Sequence, residues 1–189
     1  SNILQISLDE TRQAIQEILW VRHATVQRVW PDELVITVVE REPIALARIN
    51  GEIYQVDLDG IILSTDARTN TSFPVLDGLN PADIEANKKK IEVYAAALEA
   101  IGQSKLSEVH VSENGEVSVV PINNPVLIDL GSTEHRGRWE KYLQLRAKIR
   151  EEYPNAFHID LRFQDQVIIR TEGNKPAEKI IWGEEKKLL

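Results

Sequence analysis

Leu19-Trp20-Val21-Arg22, then Val29-Trp30-Pro31-Asp32-Glu33-Leu34-Val35-Ile36, then Glu40-Arg41-Glu42-Pro43-Ile44-Ala45, sets the architecture of the first part of this chain. It reads as a helix end, a strand, a tight turn, a second strand and an exit from the unit. Pro31 fixes its own φ and pushes Trp30 out of helical geometry, so Trp30-Pro31-Asp32-Glu33 must turn. Leu34 to Val39 is dense in β-branched residues and predicts a strand. Pro43 has no amide proton to give a ladder, so it is expected to end regular pairing.

Upstream, Ser7 and Glu10 have capping-box spacing, and Leu8, Thr11, Ile15, Ile18 and Leu19 fall on one helical face. This predicts a helix from Leu8 to about Leu19, feeding a hairpin of Thr25–Trp30 and Leu34–Arg41. A helix on a two-stranded ribbon is too little to fold alone, and an N-terminal segment is the natural candidate to complete it.

Downstream the pattern changes to strands. Asn50-Gly51 and Asp59-Gly60 are hairpin turn pairs between apolar runs. Residues 64–72 are polar and read as loop, and Phe73-Pro74-Val75-Leu76 as a short extended piece. A second helix is expected with Asn80 as N-cap, Pro81 in the first turn, a buried stripe of Ile84, Ile91, Tyr94, Leu98 and Ile101, and Gly102 as its stop. Strands follow at Leu106–Ser112, Glu116–Pro121 and Pro125–Leu130. A third helix is expected after Gly131-Ser132, with Trp139, Tyr142, Leu143 and Ile149 inward and Pro154 ending it. Phe157–Phe163 and Val167–Thr171 are expected as the last ordered pair. Alternation puts Phe157, Ile159, Leu161 and Phe163 on one face, and His158, Asp160 and Arg162 on the other. The tail beyond Gly173 is charged and expected to be mobile apart from Ile180-Ile181-Trp182.

Composition bounds the function. The 189 residues are 42% hydrophobic and 28% charged, an ordinary globular mixture. No apolar run approaches the length of a membrane helix. There is no Met, so the chain reads as a fragment whose natural start, and any N-terminal anchor, lies upstream. A net charge of −8 argues against general nucleic-acid affinity. The absence of Cys excludes disulfides, thiolate zinc sites and thiol catalysis.

The search for chemistry yields little. Asp57-x-Asp59-Gly60 has the first acids of a calcium loop but lacks its later ligands, so it reads as a hairpin turn. His158 and Asp160 share a strand face, yet no third ligand or nucleophile lies near them in sequence, and the four His are widely spread. There is no phosphate loop and no nucleophile elbow. Trp20 and Trp30 suit either ribbon packing or anchoring a partner. The bottom-up reading is an α+β protein with exposed strand edges, no metal, no cofactor and no active site, which points to binding.

Four blocks in order carry a family resemblance. Trp20, Val21, Trp30, Pro31, Asp32, Leu34, Glu40 and Pro43 form the first and most specific. Val56-Asp57-Leu58-Asp59-Gly60, Val126-Leu127-Ile128-Asp129-Leu130-Gly131 and Ile159-Asp160-Leu161-Arg162-Phe163 follow. Together they resemble the bacterial cell-division family FtsQ (DivIB). The resemblance implies a POTRA domain over residues 1–45, truncated so that its first strand and first helix are absent. It also implies an FtsQ-type β domain over 46–173, mostly antiparallel with two long helices, and a charged tail over 174–189.

Membership implies a non-catalytic divisome scaffold in septum formation. It would be single-pass in the inner membrane, with this region on the periplasmic or extracytoplasmic side and the transmembrane helix outside the chain. The implied partners are the coiled-coil division proteins FtsB and FtsL, bound by β-strand addition at the C-terminal edge. The implied contact residues are Arg162 and Phe163, matching the family's Arg-Tyr pair without the hydroxyl, and the edge strand Val167, Ile168, Ile169, Arg170 and Thr171. Two other readings compete. One is a POTRA-bearing module of outer-membrane assembly or secretion, and the other a wall hydrolase using His158 and Asp160.

Overall fold

A computed structural model describes residues 5–64, 72–172 and 177–181. The chain divides into two compact units, residues 1–43 and 44–189.

In the first unit, α1 (Leu8–Gln16) is followed by β1 (Val21–Val29) and β2 (Glu33–Glu40). The Ser7 hydroxyl accepts from the Glu10 amide at 3.3 Å, so the cap lies where the spacing put it. The helix is shorter than expected: Glu17 is its C-cap, and Ile18 and Leu19 lie beyond it and are exposed. The ribbon starts four residues earlier than its β-branched density suggested. Val21 and Arg22 are strand residues, because Val21 can pair with Glu40 and bury its side chain. β1 and β2 pair antiparallel through the turn at Trp30, whose peptide to Pro31 is cis.

The second unit is one ten-stranded sheet. Its strands are β3 (Pro43–Ile49), β4 (Glu52–Asp57), β5 (Ile62–Leu63), β6 (Val75–Asp77), β7 (Leu106–Val111), β8 (Val117–Pro121), β9 (Leu127–Gly131), β10 (Ala156–Asp160), β11 (Gln166–Thr171) and β12 (Glu178–Ile181). The spatial order is β12-β11-β10-β9-β8-β7-β6-β3-β4-β5. Pro43 therefore opens a strand rather than ending one, since a first residue needs no ladder amide. Most neighbouring strands pair antiparallel, with β3–β6, β6–β7 and β9–β10 parallel. The loop expected at 64–72 falls largely outside the described residues.

The parallel pairs explain where the helices sit. α2 (Ile84–Ile101) crosses from β6 to β7, and α3 (His135–Glu152) from β9 to β10. Both crossovers step the same way across the sheet between strands of the same direction, so right-handed connections put both helices on one face. α2 packs on β7, β8 and α3, and α3 packs on β9. Between them and the sheet lies the core of Ile91, Tyr94, Val109, Val119, Ile128 and Ile159, each fully buried. The Tyr94 hydroxyl donates to the Pro74 carbonyl at 3.0 Å, and burial pushes its pKa far up.

The turn residues did as expected at two places. Asn50 and Gly51 have φ of 54° and 86°, the pair of positive values a tight β3–β4 hairpin needs. The Asp57 carboxylate accepts from the amides of Asp59 and Ile61 at 3.0 and 2.9 Å, so this acid folds a turn. The N-terminus of α2 differs from expectation. Asp83, not Asn80, is the N-cap, accepting from the Ala86 amide at 2.9 Å. Asn80 instead exchanges two hydrogen bonds with buried Asn87, and Ile84 is exposed at the start of the helix.

Candidate functional site

The C-terminal end of the sheet is built by β9, α3, β10, β11 and β12. β10 ends at Asp160, and Leu161 continues inward, its amide bonded to the Asp129 carbonyl at 3.0 Å. The chain then leaves the sheet at Arg162. Two bonds tie its guanidinium to the Asp160 carboxylate, at 3.0 and 2.8 Å, and the Arg162 amide adds a third at 3.0 Å. Its remaining nitrogen reaches Glu116 at 3.2 Å. Arg162 thus braces the end of β10 against the residue preceding β8 while keeping part of its surface open.

Burial would push the Asp160 carboxyl up, but the hydrogen bonds and charge of Arg162 outweigh it and hold the group below its ordinary value of 3.8. A carboxyl with a depressed folded pKa stabilises above its unfolded pKa, and the contribution is lost as pH falls through the folded value. Denaturation midpoints followed from about pH 6 down to about pH 3 should fall more steeply for the natural chain than for Asp160→Asn. Equal slopes would mean that the brace does not contribute.

Sequence reasoning overlooked Lys141. This α3 residue is 7% exposed, and its ammonium donates to the carbonyls of Phe163, Gln164 and Gln166 at 3.1, 3.1 and 3.4 Å. Burial pushes its pKa down, with Asp165 opposing. Three carbonyls converging on one ammonium fix the β10–β11 loop. A lysine at a core-facing helical position was the only available sign of it. Phe163 stands at the rim of this loop, 41% exposed. A concavity of about 490 Å³ opens between Phe163, Arg162 and the first two turns of α3.

The structure corrects the expected edge. Val167 and Ile169 are fully buried, Ile168 and Thr171 half-buried, and Arg170 exposed. β11 is not the last strand, because β12 pairs antiparallel with it, Val167 opposite Ile180 and Ile168 opposite Lys179. Within this tail the exception made for Ile180-Ile181 falls in a strand, which also takes in Glu178 and Lys179 and has only Ile180 buried. Trp182 lies outside the described residues. The expected face of Phe157 is also wrong. The β10–β11 register shifts between Ala156 and His158, and Phe157 is 47% exposed. A bulge of this kind re-aims a side chain that strict alternation would turn inward.

His158 and Asp160 do not form a pair. His158 Nε2 lies 2.7 Å from Asp129 on the neighbouring strand, and Asp129 also accepts from the Ser118 hydroxyl at 2.7 Å. Asp129 sits between Ser118 and His158, so the serine hydroxyl meets the carboxylate and not the imidazole. This row ties β8, β9 and β10 on the face away from the helices. Among the described residues no group of acids and histidines is arranged to hold a metal ion.

The first-block residues lie in the other unit. Val21 is buried, Trp20 and Leu34 are half-buried, and Trp30 is 71% exposed at the hairpin tip beside exposed Pro31 and Asp32. Glu40 pairs with Val21, and the Trp20 carbonyl accepts from Arg41 at 2.8 Å, which closes the ribbon's base.

Two family models match in tandem: "POTRA domain, FtsQ-type" over residues 1–41, and "Cell division protein FtsQ/DivIB, C-terminal" over residues 45–162. The chain belongs to the FtsQ/DivIB family of cell-division proteins. The cell division protein FtsQ of Koribacter versatilis is 31% identical, over 94% of this chain and 54% of that protein. The FtsQ of Allochromatium vinosum is 28% identical, over 91% of this chain and 67% of its own length. The chain thus spans about half the length of the first relative. The extracytoplasmic domain of DivIB from Geobacillus stearothermophilus is 19% identical with a TM-score of 0.39, covering 60% of this chain and 97% of that one. The expected α+β class, with a helix-and-hairpin first unit and a mostly antiparallel second sheet carrying two long helices, is the architecture present.

Proposed function

We propose that this FtsQ/DivIB region is a non-catalytic scaffold of the divisome, held outside the cytoplasm by an upstream membrane helix, and that it recruits FtsB–FtsL by strand addition at the C-terminal edge of its sheet. The observation that carries the reading is how that sheet ends. Its last described strand is four residues long and has no outer partner among the described residues. An edge of unpaired amides and carbonyls is a template for another strand. Phe163 and Arg162 sit at the loop beside it, a large apolar anchor next to a braced cation. No helix among the described residues is long and apolar enough to cross a membrane.

Calorimetric titration with the extracytoplasmic parts of the cognate FtsB–FtsL pair tests this reading. Phe163→Ala should weaken binding by about 2 kcal/mol or more, as loss of a central anchor does. If Phe163→Ala and Arg162→Ala both leave the affinity unchanged, the site is elsewhere. A chain ending at Glu172 separates two geometries. Weaker binding means that the partner pairs with the outer edge of β12, and tighter binding means that it takes the place of β12 on β11.

A further inference from the structure

The opposite flank of α3 carries a second concavity, of about 350 Å³. It lies where Ser104 and Lys105 of the turn after α2, the β8–β9 connection and α3 meet. Its walls are tied together: the Ile122 amide donates to the Lys105 carbonyl at 3.1 Å, and the Asn124 side-chain amide donates to the Tyr142 hydroxyl at 3.1 Å. Trp139 and Tyr142 form its inner wall, with ring centroids 5.1 Å apart. The Trp139 indole nitrogen is buried and has no hydrogen-bond partner among the described residues.

The charge of this site runs against the rest of the molecule. Lys105, Arg146 and Arg150 line it, and no Asp or Glu is among its described lining residues, in a chain of net charge −8. Arg146 and Arg150 are one helical turn apart on the same face of α3 and are exposed. The Tyr142 hydroxyl accepts from Asn124 and so keeps its own proton to donate. Ile122 and Leu143 add apolar surface, and Ile122 is 54% exposed.

We propose that this concavity is a docking site for an acidic peptide segment of a partner protein, one with an apolar residue beside its carboxylates. The cations and amides would take the carboxylates, and Ile122 and Leu143 the apolar side chain. An acidic glycan fits less well. A sugar ring stacks on an open aromatic face, whereas Trp139 and Tyr142 are each only 4% exposed. The site is on the face of α3 turned away from Lys141 and Phe163, and the inference does not depend on strand addition.

The test is a nitrogen-15 NMR titration of the chain with acetyl-Glu-Leu-Glu-amide, with acetyl-Lys-Leu-Lys-amide and inorganic phosphate as separate arms. The expected result is saturable movement of the Trp139 indole and Asn124 side-chain signals with the acidic peptide alone. Replacing two of the three cations, Arg146→Gln with Arg150→Gln, should weaken that binding roughly tenfold at low salt. Both side chains are exposed, so an unchanged amide spectrum elsewhere establishes that the variant is folded. No saturable movement, equal movement with the basic peptide, or the same affinity for phosphate would each overturn the proposal. So would concentration-dependent dimerisation that the double variant abolishes, which would make a second copy the occupant.

Discussion

Gly60→Ala is expected to destabilise the second unit by about 3 kcal/mol, combining a left-handed backbone penalty with overpacking. Gly60 has φ of +77°, and a Cβ built on it would lie 2.7 Å from the Lys88 backbone nitrogen and 3.1 Å from the Ile84 carbonyl oxygen. These are main-chain atoms of α2, so no side chain can swing aside. The Val56–Gly60 motif is thereby explained by packing: Asp57 folds the turn, and Gly60 lets that turn lie against a helix. Asn87, one position from Lys88, is itself locked to Asn80. The measurement is a urea midpoint shift at unchanged slope. A loss below about 1 kcal/mol would mean that α2 can move away from the turn.

Lys141→Ala is the second large effect, expected at about 2–3 kcal/mol, because it leaves three carbonyls without their common donor in a poorly hydrated place. The damage should be local. Hydrogen exchange should quicken at residues 163–166, while α2 and β7 keep their protection. On the proposed scaffold reading, affinity for FtsB–FtsL should fall with it, since Phe163 would no longer be held at the rim. If exchange in this loop is unchanged, the ammonium is not what orders it.

Where structure follows from local chemistry, the sequence was readable. Ser7 capping, the Asn50-Gly51 hairpin, the Asp57–Gly60 turn and the stop at Gly102 depend on residues within a few positions of one another. Where the outcome depends on distant partners, it was not. Asn80 had every local mark of an N-cap, but Asn87, seven residues on, claims its backbone groups and leaves the cap to Asp83. Phe157 alternated correctly with Ile159 until a register shift against β11 turned it outward. Lys141 looked like an ordinary helical lysine because its acceptors lie more than twenty residues downstream. The apolar pair Ile180-Ile181 stood out from the charged tail, but its pairing with β11 is a tertiary choice that no local pattern encodes.

From β6 onward the strands of the sheet stand in the order in which they occur along the chain. Each new strand can add to one already in place, so growth of the sheet can run from the N-terminal side outward, through direct turns and the α2 and α3 crossovers. The C-terminal edge is then the last surface to exist. A polypeptide interrupted before Gln166 would lack β11 and β12 altogether and would present β10 instead, a different edge without the last of the carbonyls that Lys141 holds. Assembly that reads this edge would therefore also read whether synthesis and folding of the sheet had been completed.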